Sequence, residues 1–313
     1  MIRAANLIKR TQECMSYLPK QEIAVRSILS VICTSMMKTM SKCDQFQTDG
    51  FLVIEGFNSA EDCDALMERA MWLAERYDYK GHPSIFETGN QTMSADDYFL
   101  NSGDRIAYFF EKDAFDPKGQ LKKGLFESLN KIGHAMHDLD SVYDRFSRSP
   151  QMRALAAELG MSEYLVIQSM HIFKHARIGG EVDVHQDSTF LYTEPNTCVG
   201  FWFALEDATI ENGCMWATPG GHKTPLRSWF RKKEETGLEM HALDSSPWDM
   251  EGMQPLEVKK GACIVLHGAL PHYSRPNTSG KSRQAYAIHT IDPAAHYPDR
   301  NWLHRETQSL RPL

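Results

Sequence analysis

Apolar residues in the first half of the chain recur mainly at helical spacing. Residues 59–77, SAEDCDALMERAMWLAERY, place apolar side chains on one helical face behind Ser59 and Asp62, which stand at capping-box spacing. Residues 149–160, SPQMRALAAELG, predict a helix capped by Ser149, and residues 123–139, KGLFESLNKIGHAMHDL, also follow a helical pattern. The pattern therefore predicts a helical front to the protein.

Two other segments of this half are typical of extended structure. Residues 49–57, DGFLVIEGF, form an apolar run bounded by glycines and predict a strand. Residues 97–115 predict extended pieces around a turn at 102–104, Ser-Gly-Asp.

From residue 163 onward the pattern changes to short aromatic and β-branched runs separated by Gly, Pro and Asn turns. These runs are EYLVIQSMHIFKH, TCVGFWFALEDA, CMWATPG, GACIVLHGALPHYS and RQAYAIHTID. Many short strands without long helices between them favour an antiparallel sandwich or barrel, and a jelly roll is a compact arrangement of that many strands. The predicted fold class is mainly β with a helical front, that is α+β.

The first 43 residues differ in charge from the rest. They carry seven Lys and Arg against two acids, which resembles a weak transit peptide. A disordered or loosely helical extension is the favoured alternative, because arginine is scarce and acids are present. We therefore expect an extension over residues 1–43 and a single domain over residues 44–313. The expected location is cytoplasmic, or mitochondrial if the extension directs import.

Composition narrows the class of partner. The net charge of −7 argues against nucleic-acid binding, which needs a clustered basic face. No apolar run approaches the ~20 residues of a membrane helix. Seven cysteines without a C-x-x-C motif indicate neither a disulfide framework nor a zinc knuckle and fit a reducing compartment. We expect a monomer that acts on a small molecule.

A pair of metal-ligand candidates lies in EVDVHQDSTFLY, residues 181–192. His185 and Asp187 are two residues apart in a stretch that is typical of a strand, so both side chains would lie on one face of the sheet. The spacing permits chelation. It also arises by chance in a chain of this composition, so an ordinary polar pair on a sheet rim is the favoured interpretation until a further ligand is found.

His267 and His272 are both candidates for that further ligand. Two histidines and one aspartate on adjacent strands form the facial triad of non-heme Fe(II) oxygenases, which leaves coordination positions open for a co-substrate and O₂. Structural zinc prefers four protein ligands with Cys among them, and no cysteine lies at ligand spacing here. The residues favour Fe(II) and leave the choice of histidine open.

The co-substrate 2-oxoglutarate would need a cation for its distal carboxylate. Arg283 follows at the start of the next predicted strand, where its planar guanidinium could hold a carboxylate through two hydrogen bonds. Ser274 could add a hydroxyl group. A surface arginine is the alternative for Arg283.

The set His185-x-Asp187 and His272-x-Ser274-x₂-Asn277-x-Ser279-x₃-Arg283, with EDATIENGCMWATPGGHK between, resembles the phytanoyl-CoA dioxygenase family of Fe(II)/2-oxoglutarate enzymes. The likeness covers roughly residues 44–303. It implies a double-stranded β-helix. One departure is PGGHK at residues 219–223, where the family usually has Pro-Gly-Ser-His; it touches no implied ligand.

The resemblance also assigns roles to individual residues. It implies His185, Asp187 and His272 as iron ligands, which selects His272 over His267, and Arg283 as the co-substrate anchor. By the same implication Lys131, Met170 and Trp202 line the 2-oxoglutarate pocket. Their alternatives are a solvated helix lysine and two core residues on strands. Five further histidines are expected at the core edge or behind the ligands: His134, His137, His171, His175 and His289.

The reaction implied is hydroxylation of a small molecule with release of succinate and CO₂. A basic run with Arg227, Arg231, Lys232 and Lys233 could receive an acyl-CoA, although a solvated charged face is favoured for it. Two alternatives come from other classes of protein. One is a catalytically silent cupin-like module that binds the metal or 2-oxoglutarate, and the other is a zinc hydrolase, for which no general base is evident.

Overall fold

The computed structural model describes residues 40–79, 84–85, 97–234 and 237–313, and its strands form two facing antiparallel sheets. The extension predicted over residues 1–43 lies, as far as residue 39, outside the described residues. Lys42–Leu313 form one compact unit. The strands are β1 (Phe51–Ile54), β2 (Ile106–Phe110), β3 (Leu129–His134), β4 (Leu165–Ile172), β5 (Val182–His185), β6 (Val199–Ala204), β7 (Met215–Ala217), β8 (Ser228–Lys232), β9 (Leu238–Ala242), β10 (Gln254–Leu256), β11 (Cys263–His267), β12 (His272–Ser274), β13 (Ala285–Ile291) and β14 (Arg311–Pro312).

The larger sheet has the order β1-β11-β6-β13-β4-β3-β2, with β14 beside β4, and the smaller has the order β10-β7-β12-β5. The strands β8 and β9 pair separately as a hairpin. Trp202 and Ala287 of the larger sheet pack with Met215 and Leu256 of the smaller one, so an apolar layer joins the two inner faces. This is the double-stranded β-helix, or jelly roll, that was predicted.

Helices cover the outer face of the larger sheet. Leu66 and Ala70 pack against Phe203 and Tyr286, which alternate along their strands with the residues of the inner face. The helices described are α1 (Lys42–Asp49), α2 (Ala60–Glu75), α3 (Asp97–Leu100), α4 (Met136–Leu139), α5 (Ser141–Ser147) and α6 (Pro150–Glu158). None of the described helices is long and apolar enough to span a membrane.

The helix caps predicted at two positions are present. The Ser59 hydroxyl accepts from the Asp62 backbone N–H at the start of α2, and the Ser149 hydroxyl accepts from that of Met152 at the start of α6. The strand predicted around residues 49–57 is confirmed over Phe51–Ile54. These elements depend on local signals, which explains why the sequence predicts them well.

The helix predicted over residues 123–139 is wrong in its central part. Leu129–His134 form the strand β3, which pairs with β2 on one side and β4 on the other. Apolar residues three or four apart fit either conformation, and the neighbouring strands decide because they satisfy the backbone hydrogen bonds of this segment. Lys131 is consequently a strand residue. A smaller error concerns Asp97–Leu100, which is helical rather than extended.

Candidate metal centre and its cavity

Three side chains with metal-binding atoms meet where the smaller sheet borders the cavity between the sheets. His185 ends β5 and His272 begins β12, and the antiparallel register places these two residues opposite each other. The sequence predicted Asp187 on the same strand as His185, and this is wrong. Asp187 begins the 3₁₀ turn Asp187–Thr189 directly after the strand. The chain therefore turns between the two candidates and still brings both side chains to one point.

The ligand atoms of this triad converge closely. One atom of each of His185, Asp187 and His272 lies within 4.8 Å of the other two. Both Nε2 atoms are 3.7 Å from Oδ1 of Asp187, and the two imidazole rings are 4.3 Å apart between centroids. Such spacing suits one ion between two imidazoles and a carboxylate.

Backbone carbonyls orient both imidazoles. Nδ1 of His185 lies 2.8 Å from the carbonyl oxygen of Asp183, and Nδ1 of His272 lies 3.0 Å from that of Leu270. A carbonyl oxygen can only accept, so each Nδ1 carries the proton and each Nε2 keeps its lone pair for the centre. The tautomer that binds a metal is thus fixed by the backbone.

The charge state of the triad also suits a metal. Burial lowers the pKa of His185 to about 4, with the nearby His272 ring adding to the effect. Burial would raise the pKa of the Asp187 carboxyl, but the adjacent His289 and His272 imidazoles lower it further than burial raises it, so the group is a carboxylate at neutral pH. A metal would meet one neutral imidazole, a second imidazole with a fixed tautomer and one anion.

The triad lies on the wall of a cavity of about 160 Å³. This cavity is lined by the ligands and pocket residues that the sequence analysis retained: Lys131, Met170, His185, Asp187, Trp202, His272, Ser274 and Arg283. His267, the rejected ligand candidate, lies outside it with its ring 5.0 Å from that of His222. The structure thus brings together residues that are up to 152 positions apart in the chain, from 131 to 283.

Arg283 is a buried cation, with 2% of its surface exposed. One of its nitrogens donates to the Gly213 carbonyl at 3.0 Å, whereas its buried Nε has no hydrogen-bond partner within residues 40–79, 84–85, 97–234 and 237–313. The guanidinium lies 5.5 Å from the centre of the Trp202 ring. Burial lowers its pKa to about 10, so it stays charged at neutral pH. Among the described residues it forms no ion pair, which leaves its charge available to an anion in the cavity.

The remaining pocket residues place one basic, one hydroxyl and two apolar side chains in the same cavity as Arg283. Lys131 is 5% exposed, its ammonium lies 3.8 Å from the Met170 sulfur, and burial lowers its pKa to about 7. Ser274 is buried on β12, two residues after His272. Trp202 and Met170 provide apolar wall. A small dianion would meet the charged guanidinium of Arg283 and, in Lys131, an amine that can take up a proton.

Four further residues shape the centre: His289 and His134, which the sequence analysis expected at the core edge or behind the ligands, and Gly200 and Gln186, to which it gave no role. His289 Nε2 lies 3.3 Å from Asp187 Oδ2, in a close contact that is not a hydrogen bond. Gly200 lies behind the same carboxylate, where a Cβ would stand 3.1 Å from Oδ2. The strand period could have identified His289, because Arg283, Ala287 and His289 are separated by even numbers of residues and all line the cavity. For Gly200 the sequence carries no such signal.

Gln186, between two of the triad residues, is fully buried and fully bonded. Its amide nitrogen donates to the carbonyls of Pro225 and Ala269, and its oxygen accepts from the Arg227 backbone N–H. It therefore fixes the turn of Asp187 against the loop that leads to His272. The fourth residue, His134, lines the cavity with no exposed surface.

Comparisons with known proteins agree in family and fold. The family model "Phytanoyl-CoA dioxygenase (PhyH)" matches residues 46–285. The rat protein "Phytanoyl-CoA dioxygenase domain-containing protein 1" is 42% identical over 277 residues, which cover 86% of this chain and 95% of that protein. "Phytanoyl-CoA dioxygenase 1" of Oryza sativa subsp. japonica is 42% identical over 263 residues, covering 83% of this chain and 92% of that protein.

A solved structure supports the fold. The epimerase SnoN, in complex with Fe3+, alpha ketoglutarate and nogalamycin RO, superposes with a TM-score of 0.58 at 16% sequence identity. The match covers 86% of this chain and 90% of that one.

Proposed function

Because the chain belongs to the phytanoyl-CoA dioxygenase family, we propose that it is an Fe(II)- and 2-oxoglutarate-dependent dioxygenase that hydroxylates a small molecule. The observation that carries this proposal is one cavity that holds a His-Asp-His triad together with the buried charge of Arg283, which forms no ion pair with any of the residues described. The activity would lie in a single domain over residues 44–313.

The residues present fit the metal and the co-substrate. His185, Asp187 and His272 would hold Fe(II) through the two Nε2 atoms and the carboxylate, a donor set that would leave coordination positions for a co-substrate and O₂. Bound iron and 2-oxoglutarate supply, with O₂, the oxidation of a substrate C–H bond, and 2-oxoglutarate leaves as succinate and CO₂.

The protein's own part in this chemistry is binding and orientation. Arg283 would hold the distal carboxylate of 2-oxoglutarate through its Nε and one terminal nitrogen, the two-point contact that guanidinium makes with carboxylates. Lys131 would add the second positive charge, and Ser274 a hydroxyl. Trp202 and Met170 would exclude water from the side of the co-substrate.

The proposal is tested by anaerobic loading of the full-length protein with Fe(II) and 2-oxoglutarate, followed by admission of O₂ and measurement of succinate. We expect succinate formation in the wild type and loss of it in His185→Ala, which removes one ligand. Iron content is measured in parallel. Iron bound without succinate above the His185→Ala level would instead support the silent metal-binding module.

Lys131 should show its function in the proton balance of co-substrate binding. Its pKa is lowered to about 7 by burial, so at pH 8 most molecules carry a neutral amine. A dianion bound beside it would restore the charge, and binding at pH 8 should take up close to one proton. Calorimetry in buffers of different ionisation enthalpy measures this uptake. We expect Lys131→Met to abolish it and to weaken 2-oxoglutarate binding about tenfold.

Lys131→Met should raise the free energy of unfolding although it weakens the binding of 2-oxoglutarate. The unfolded chain keeps its lysine protonated up to about pH 10, whereas the folded chain loses the proton near pH 7, so Lys131 makes the free energy of unfolding rise with pH between these values. At pH 7 and below, Lys131→Met should therefore be more stable than the wild type, by about 1–3 kcal/mol.

Lys174 is the matched control, since burial also lowers its pKa, to about 6. Its ammonium donates to the carbonyls of Gly180 and Arg275 at 2.7 Å each, and it lies outside the cavity wall. Lys174→Met should lower stability and leave the proton uptake unchanged. Equal proton uptake in Lys131→Met and the wild type would contradict the assignment of Lys131.

A further inference from the structure

Part of the cavity wall is not used by the proposed function. Phe99, His134 and Trp302 form an aromatic cluster there: the rings of Phe99 and Trp302 stack with centroids 4.5 Å apart, and His134 lies 5.7 Å and 5.4 Å from them. Phe190 and Leu191 continue the same wall. Among the described residues of this wall, two polar groups interrupt the apolar surface: the imidazole of His134 and the indole N–H of Trp302, which is buried without a hydrogen-bond partner.

The tautomer of that imidazole follows from its neighbour Ser102. The Ser102 hydroxyl donates its single hydrogen to the Phe99 carbonyl, with 2.5 Å between the oxygens, and it lies 2.8 Å from Nδ1 of His134. Since that hydrogen is already used, Nδ1 must carry the proton and Ser102 must accept it. Burial, together with the charge of Lys131, holds the pKa of His134 well below its usual range, so the ring is neutral. Its Nε2 therefore presents a bare lone pair.

This lone pair is left without a donor. Nε2 of His134 is buried and has no hydrogen-bond partner in the part of the chain that the structure describes. Buried polar atoms in native proteins are nearly always bonded, and an exception on the wall of a binding cavity indicates a donor that a ligand would bring.

The charged side chains of the cavity wall already have roles in the proposed function. These residues are Asp187 in the triad and Lys131 and Arg283, which the proposed function assigns to 2-oxoglutarate. Outside the cavity, two members of the basic run are already paired, Arg227 with Asp244 at 2.5 Å and Arg231 with Glu239 at 2.8 Å. Apart from Lys131, whose side-chain nitrogen lies 5.8 Å from the centre of the Phe99 ring and which the proposed function assigns to 2-oxoglutarate, the described residues place no counterion for a phosphate or a carboxylate beside the aromatic cluster.

We infer that the molecule to be oxidised is uncharged where it enters the cavity and has an aromatic or otherwise apolar body with an O–H or N–H group, which donates to His134 Nε2 beside Phe99 and Trp302. This inference rests on the proposed function, since it takes the other half of the wall as the co-substrate site. Phosphorylated groups are disfavoured at this end of the cavity.

Phenol and anisole serve as probes, because they share a ring and differ in the O–H that could donate. Binding is measured by NMR titration to the full-length protein loaded with Zn(II) and 2-oxoglutarate, which does not turn over. We expect the ratio of phenol to anisole affinity to fall about five- to tenfold in His134→Leu relative to the wild type. Ser102→Ala, which frees the tautomer, should lower the ratio in the same direction and replaces His134→Leu if that variant does not fold.

His175→Leu is the matched control. Nε2 of His175 is likewise buried without a partner, but the ring packs between Phe126 and Phe173 and does not line the cavity. Its phenol to anisole ratio should equal that of the wild type. An unchanged ratio in His134→Leu and Ser102→Ala would overturn the inference.

The outcomes separate this inference from the function on which it rests. Succinate formation in the wild type with an unchanged affinity ratio would refute the substrate class alone. A ratio that falls as expected in a protein that binds iron and forms no succinate would refute the dioxygenase and leave the binding site standing.

Discussion

Asp187→Asn is expected to weaken Fe(II) binding by about 100-fold or more and to reduce 2-oxoglutarate-dependent succinate formation to the background level. Asp187 supplies the one negative charge of the described triad, and it does so in a buried site where water screens little. Asparagine keeps the size of the side chain and removes that charge. Anaerobic Fe(II) titration and succinate measurement test both parts.

The control for this variant is a buried aspartate outside the cavity. Asp140 is 3% exposed, caps the helix α5 and pairs with Arg69 at 2.7 Å. Asp140→Asn should lower the free energy of unfolding and leave iron affinity as in the wild type. Iron affinity in Asp187→Asn within tenfold of the wild type would show that the carboxylate is not a ligand.

Arg283→Leu is expected to raise the KM for 2-oxoglutarate by about 100-fold while Fe(II) affinity stays unchanged. The guanidinium is buried, forms no ion pair among the described residues and leaves its Nε unbonded, so an anion in the cavity would be its main partner. Arg283→Lys should recover part of the loss, because an ammonium keeps the charge but cannot make the two-point contact. Steady-state kinetics over a range of 2-oxoglutarate concentrations, with iron titration alongside, measure the two effects.

Arg305 is a suitable control for the loss of a buried arginine. Its side chain is 3% exposed and pairs with Asp138, so its charge is already neutralised within the protein. Arg305→Leu should reduce stability, because it leaves a buried carboxylate with one partner fewer, and the KM should not change. If Arg283→Leu kept the wild-type KM, the anchor would have to be another residue.

The variants of Lys131 and Arg283, compared with those of Lys174 and Arg305, distinguish effects on ligand binding from effects on folding. Lys131 and Arg283 line the cavity and burial lowers the pKa of both, whereas Lys174 and Arg305 lie outside the cavity wall and bond to carbonyls or to a carboxylate. Replacing Lys131 or Arg283 by an apolar residue should weaken the binding of 2-oxoglutarate and raise the free energy of unfolding. Replacing Lys174 or Arg305 should lower the free energy of unfolding and leave binding unchanged. The difference lies in whether the side chain lines the cavity.

Local sequence signals predicted the elements that depend on local contacts. The Ser59 and Ser149 caps and the apolar faces behind them specify α2 and α6 within a single segment. The same reasoning failed at residues 129–134, because a strand obtains its hydrogen bonds from segments that are distant in the sequence. It also placed Asp187 on a strand that in fact ends two residues earlier.

The sequence by itself determined the chemistry available to the centre: which residues can bind iron and a carboxylate, and at what spacing they occur around residues 185, 272 and 283. Only the tertiary structure decided what those groups can do. The pairing of β5 with β12 brings the two imidazoles together, carbonyls at Asp183 and Leu270 fix their tautomers, and Ser102 fixes that of His134 from 32 positions away. Protonation, burial and the absence of an internal partner arise from neighbours in space, and a linear pattern does not contain them.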